Sequence, residues 1–181
     1  RALISAGSKV TLVDIDEKSA SIVAKETGAR AVIGDVSDAI FCNQLTANTA
    51  ADSGRIDILV NCAGIIVRAE ADGTTDKEWQ RLFAVNVDGV FYMSRATIRY
   101  MKQQKSGAIV NFGSIWGEVG ATRVLAYCAS KGAVHQITRA MALDHVEDGI
   151  RVNAVAPGEV NTPMLASGRP VAPTPTELAL L

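Results

Sequence analysis

Residues 108–158 read AIVNFGSIWGEVGATRVLAYCASKGAVHQITRAMALDHVEDGIRVNAVAPG. Ala108 to Phe112 and Arg151 to Ala156 are short apolar runs rich in β-branched residues, whereas Val124 to Glu147 is too long for a strand and carries helical patterning. Strand, crossover helix and strand in that order make a parallel βαβ unit. The same alternation extends upstream. Lys9 to Ile15, Ala29 to Val36 and Ile56 to Ala63 read as further strands, with Glu17 to Glu26, Ile40 to Ala51 and Asp76 to Gln104 as helices between them. Near-continuous apolar strands are those of a sheet covered on both faces, so the expected class is α/β, a doubly wound parallel sheet. Before these, RALISAG reads as the last turns of a helix closed by Gly7.

Composition sets outer bounds. The 181 residues are 48% apolar with 18 basic against 19 acidic side chains, enough for one globular core. A net charge of -1 carries no footprint for nucleic acid or an anionic membrane surface, and no apolar run approaches the ~18 residues of a membrane span. No secretory leader opens the chain, so a cytoplasmic location is expected. Cys42, Cys62 and Cys128 are odd in number and, with only His135 and His145, lack metal-ligand spacing; neither a bound metal nor a disulfide framework is expected. Residues 1–165 read as one domain. From Ala166 onward Pro170, Pro173 and Pro175 crowd together with only Arg169 and Glu177 charged, which reads as a loop or disordered tail.

Ligands of parallel α/β sheets gather at the carboxyl ends of the strands. Asp14 ends the strand from Lys9; a carboxylate there can accept both ribose hydroxyls of an adenosine and repel a 2′-phosphate, although a helix cap would also explain it. Asp35 has the same two readings. Asn61-Cys62-Ala63-Gly64 closes the next strand in small residues that let a ligand approach the backbone. Tyr127 and Lys131, four apart on a helix, share a face, and an ammonium beside a phenol favours the phenolate. Ser114 lies thirteen residues before Tyr127 at a strand end, Asn86 interrupts a helical pattern with a hydrogen-bonding side chain, and Pro157-Gly158 ends the last strand, with Thr162-Pro163 after it.

Taken in order, N-C-A-G at Asn61 to Gly64, N-x-x-G at Asn86 to Gly89, Ser114, Y-x-x-x-K at Tyr127 to Lys131 and P-G-x-V-x-T-P at Pro157 to Pro163 resemble the short-chain dehydrogenase/reductases. The resemblance runs from about Lys9 to about Leu165. It implies a Rossmann-type sheet and hydride transfer between NAD(H), rather than NADP(H), and a secondary alcohol or ketone. Tyr127 would exchange the proton, Ser114 orient the substrate oxygen, Lys131 tune the tyrosine and bind the nicotinamide ribose, and Asn86 hold a water of a proton relay. Asp14 would take the adenosine ribose and Asp35 and Val36 border the adenine. Asn61, Ala63 and Gly64 would line the cofactor cleft, with Pro157, Gly158, Val160 and Thr162 at the nicotinamide end. Trp116, Glu118, Val119 and the loop from Met164 would face the substrate. A homodimer or homotetramer built on the two longest helices is implied as well.

The family's glycine-rich turn, its first strand and its last helix and strand have no counterpart in these 181 residues. The sheet is therefore expected to be incomplete, with a gap between the strands at Lys9 and Ile56, and the chain is expected to be a fragment without activity of its own. The rival reading is a noncatalytic Rossmann-like module that only binds or interacts.

Overall fold

The computed structural model describes residues 1–169 and 171–179. Strands β1 (Thr11–Asp14), β2 (Arg30–Ile33), β3 (Ile58–Asn61), β4 (Gly107–Phe112) and β5 (Ile150–Val155) alternate with helices α1 (Ala2–Ser5), α2 (Glu17–Thr27), α3 (Ala39–Ser53), α4 (Asp76–Phe83), α5 (Gly89–Gln104) and α6 (Leu125–Asp144). Two short helices follow, α7 (Pro163–Ala166) and α8 (Pro175–Leu178). Every strand pairing is parallel, and the strands form two groups, β1-β2 and β3-β4-β5. The break falls between β1 and β3, where the sequence places a gap. A cleft of about 720 Å³ lies there, walled by Leu12 and Val13 on one side and Ile58 to Asn61 on the other.

The local chemistry explains the ends of these elements. Asp16 caps α2 by accepting from the Ser19 amide, Asp38 caps α3, and Gly28 and Gly54 close them in the left-handed region at φ 78° and 74°. Thr75 and Glu78 form a capping box that starts α4. The single helix expected from Asp76 to Gln104 is instead interrupted by a π turn over Ala84–Asp88. The turn lies where two close contacts meet: Asn86 is hydrogen-bonded to the Ile65 backbone, and a Cβ on Gly89 would come within 2.8 Å of Val36.

The main core joins Cys42 and Leu45 of α3, Met93, Ile98 and Met101 of α5, and Leu59, Ile109, Ile150 and Val152 of the sheet. On that same face Asn61 and Asn111, directly opposite in the β3–β4 register, reach Ser94 of α5 and Thr138 of α6. On the opposite face Ile58, Val60 and Val155 remain 42, 41 and 42% exposed. Among the described residues, then, β3-β4-β5 is covered on one face, not the two its apolar strands suggested.

The tail also departs from expectation. Thr174 and Glu177 form a second capping box, and Pro175 at the first turn presets φ, so residues 175–178 make a helical turn instead of a loop. Pro170 lies outside the described residues.

Candidate active site

Helix α6 carries Tyr127, Lys131 and His135 at four-residue steps, one stripe facing the end of β4. Lys131 is only 4% exposed; its Nζ donates to the Phe112 carbonyl at 2.6 Å and lies 5.5 Å from the centre of the Tyr127 ring. Burial pushes its pKa from 10.5 down to about 8, with the nearby Cys62 thiol opposing weakly. Tyr127 is buried too, and desolvation raises its pKa above the usual tyrosine value, opposed by a hydrogen bond from Ser114. The expectation that the lysine ammonium favours the phenolate is thus not met. The ammonium is committed to a backbone carbonyl and stands over the ring face, so desolvation outweighs it.

Ser114 closes β4 in extended conformation, and its hydroxyl accepts from the Trp116 amide at 3.2 Å to cap a short 3-10 turn at Ile115–Gly117. Trp116 meets the Tyr127 ring edge-on, with centroids 6.1 Å apart. Together they border a pocket of about 370 Å³. Lys131, Gly64, Pro157, Gly158, Val160, Thr162 and Met164 line it as well. The structure therefore brings together most of the residues assigned to the nicotinamide and substrate end.

Other assignments change. Glu118 turns away to His135 and Arg139, and Val119 is 60% exposed outside the pocket lining, so neither faces this pocket as expected. Asn86 is fully buried: its Oδ1 accepts from the Ile65 amide, and its Nδ2 donates to the Ile65 carbonyl and to Ser130 Oγ. With both side-chain N–H groups engaged, Asn86 braces the loop after β3 against α6, and a water held there would donate to an Asn86 oxygen instead of accepting from its side chain. The Asn61 side chain is likewise used internally, on Ser94 and Asn111, while the residue borders the larger cleft with Ala63 and Val36. Asp14 stands exposed at the end of β1 with one oxygen accepting from the Asp16 amide. Asp35, just beyond β2, is already engaged: burial raises its pKa, but the Ser37 hydrogen bonds and the Arg81 guanidinium at 2.9 Å hold it below the ordinary carboxylate value. Neither acid borders either cavity.

Cys62 lines both the 720 Å³ cleft and the 370 Å³ pocket, so the small-residue end of β3 is the junction between them. A Cβ built on Gly64 would stand 3.6 Å from Lys131 Nζ, which puts that junction directly against the buried ammonium. Two contributors were not singled out from the sequence. Arg68 donates to the carbonyls of Ser167 at 2.8 Å and Leu165 at 3.3 Å, tying the start of the tail across the pocket, and no local pattern announces it. His135 continues the Tyr127–Lys131 stripe one step further, a spacing that could have drawn attention to it. Among the described residues there is no cluster of three or more metal-ligating side chains, and the three cysteines are free.

Residues 1–171 match the family described as short chain dehydrogenase. The inactive 2-(S)-hydroxypropyl-CoM dehydrogenase 2 of Xanthobacter autotrophicus is 44% identical over 162 residues, covering 88% of this chain and 70% of that protein. The galactitol 2-dehydrogenase (L-tagatose-forming) of Cereibacter sphaeroides is 42% identical over 169 residues, covering 91% and 66%. Among solved structures, a gluconate 5-dehydrogenase from Burkholderia cenocepacia in complex with NADP and tartrate superposes with a TM-score of 0.85 at 34% identity, covering 91% of this chain and 66% of that one. An NAD+-bound xylitol dehydrogenase superposes with a TM-score of 0.81 at 31% identity, covering 86% and 62%. The chain thus spans about two thirds of the length of these relatives.

Proposed function

Because the chain belongs to the short-chain dehydrogenase family, we propose that it serves an NAD(H)-dependent oxidoreductase acting on secondary alcohols and ketones. The observation that carries this reading is the convergence of Ser114, Tyr127 and Lys131 on one mainly apolar pocket that shares Cys62 with the larger cleft. The donor set fits a nicotinamide dinucleotide. A carboxylate at the end of β1 matches a ribose diol, a run of small residues allows close approach, and a buried ammonium beside a phenol matches a second ribose. Asp14, Ala63, Gly64, Tyr127, Lys131, Pro157, Gly158, Val160 and Thr162 would hold it, with Asn61 and Val36 lining the larger cleft and Asp35 next to Val36 at the adenine end. The nicotinamide, when bound, supplies the partner for the hydride.

Oxidation of a secondary alcohol removes a hydride from carbon and a proton from oxygen. Tyr127 Oη takes the proton, or returns it in the reverse direction, and Ser114 Oγ holds the substrate oxygen against that phenol. Burial keeps the unliganded phenol protonated at neutral pH, the state suited to ketone reduction. Lys131 sits with its charge beside the ring and a pKa near 8, poised to favour the phenolate once its Phe112 contact is exchanged for one nearer the hydroxyl. Asn86 braces the loop after β3 against α6 through Ile65 and Ser130.

NAD is preferred over NADP in this reading because the Asp14 carboxylate opposes a 2′-phosphate. The protein works in the cytoplasm as a homodimer or homotetramer, paired through the outer faces of α5 and α6, where Phe91 is 45% and Leu143 78% exposed. None of the described helices is long and apolar enough to cross a membrane. Titration with NADH, followed by nicotinamide fluorescence, and a panel of secondary alcohols with NAD test the assignment together. Saturable binding with turnover of at least one alcohol is expected when these residues are joined to the family's first strand and glycine-rich turn; no binding of either nicotinamide dinucleotide by that protein would refute it.

A further inference from the structure

Ser114 presents its hydroxyl to the pocket from a backbone that must be held in place, and its own amide is the weak link in that hold. The neighbouring amides have backbone acceptors: Gly113 donates to Val155 at 2.8 Å and Ile115 to Pro157 at 3.1 Å. The Ser114 amide instead points at a side chain, His135 Nε2, at 3.4 Å. His135 is 5% exposed and fills a socket shaped for its ring. A Cβ on Gly113 would fall 2.0 Å from Nε2, and one on Gly117 would fall 2.8 Å from Cε1 and equally close to the Lys131 backbone, so the imidazole and its helix leave room only for glycine on both sides of the serine turn. On the far side of the ring, Nδ1 lies 2.8 Å from Glu118 Oε1, and the same oxygen accepts from Arg139 at 2.8 Å. Despite this proximity Nδ1 makes no hydrogen bond to the carboxylate; it is the single buried side-chain polar atom without a hydrogen-bond partner among the described residues.

We infer that His135 is a positioning residue: in its neutral form with the proton on Nδ1, beside Glu118, it accepts the Ser114 amide on Nε2 and so fixes the serine that orients the substrate oxygen. The tautomer follows from the partners. Nε2 faces an N–H and must be an acceptor, and Nδ1 faces a carboxylate and must carry the proton. The Glu118 carboxylate, anchored by Arg139 and 2.8 Å from Nδ1, favours the proton on that nitrogen by its charge and not through a hydrogen bond. His135 touches neither substrate nor cofactor; it acts through Ser114.

The inference about catalysis rests on the oxidoreductase reading, but the tautomer does not, so the test has two independent arms. In protein labelled with 15N, the two ring nitrogens of His135 report which one is protonated, and the Ser114 amide reports its acceptor. Protonated Nδ1, unprotonated Nε2 and a Ser114 amide resonance displaced by His135→Leu are expected at neutral pH. A proton on Nε2 would overturn the assignment whether or not the protein turns over any alcohol. In the kinetic arm, His135→Leu leaves the amide without an acceptor, and kcat is expected to fall about tenfold or more while the Kd for NADH stays within about twofold. His135→Gln, whose side-chain oxygen replaces Nε2 as acceptor, is expected to recover most of that loss. Equal losses in the two variants, with matching thermal transitions, would mean that the ring matters only as packing.

Discussion

Lys131→Met tests how the burial of the site lysine is balanced. The ammonium is 4% exposed and its pKa lies near 8 instead of 10.5, because burial desolvates it more than the nearby Cys62 compensates. In the unfolded chain the same group keeps its proton up to about pH 10.5. Between pH 8 and 10.5 the unfolded state therefore binds more protons than the native state, and this residue makes stability rise with pH across that window. A displacement of that size corresponds to about 3 kcal/mol. Methionine has similar length and no charge, so the variant lacks this rise. Cys42, whose thiol burial pushes up to about 11, and Tyr127 pull the other way at alkaline pH, but they titrate in both proteins and cancel in the difference. Urea unfolding without nucleotide, followed by the fluorescence of Trp79 and Trp116, should be run from pH 7 to 10.5. The parent should gain about 3 kcal/mol on the variant over that interval, most of it above pH 8. A difference constant within about 0.5 kcal/mol would mean that the lysine is better solvated than its surroundings imply, and the reasoning would fail.

Tyr127→Phe keeps the ring against Trp116 and removes only the hydroxyl, so NADH affinity should hold while kcat falls by about two orders of magnitude or more; steady-state kinetics within a factor of two of the parent would reject the proton-transfer role. Asp14→Ala should narrow the preference for NAD over NADP, measured as the ratio of kcat/KM values, and equal ratios before and after would remove Asp14 from cofactor choice. Asn86→Ala strands the Ile65 amide and carbonyl, and chemical denaturation should register a loss of about 2–4 kcal/mol; a loss below about 0.5 kcal/mol would show that Asn86 is no brace.

What could be read without tertiary information was local. Strand and helix placement follows from patterns two and three to four residues long, and α2, β4 and β5 stand within a residue or so of where those patterns put them. The pairing of Tyr127 with Lys131 is equally local, since a helix places every fourth residue on one side. The order of the motifs supplied the rest of the 370 Å³ pocket's lining, including Gly158 and Thr162, because strand ends of a parallel sheet meet at one edge.

Partners and solvation are different in kind. Nothing near Asp35 in sequence announces Arg81, and nothing near Glu118 sets it against a helix position seventeen residues on. The same spacing that puts Lys131 beside Tyr127 leaves open where its ammonium points; the Phe112 carbonyl decided that, and burial of the phenol decided the direction of the tyrosine's pKa. Helical periodicity cannot separate a π turn from an α turn when the cause is a contact from another element, as with Gly89 against Val36. The sequence by itself determined the elements, their order and the stripe of α6, because each of these is settled by interactions within a few residues. Protonation states, the turning of Glu118 and the hold of His135 on Ser114 were decided by the tertiary structure, because burial and pairing sum over atoms that the chain brings together only when it folds.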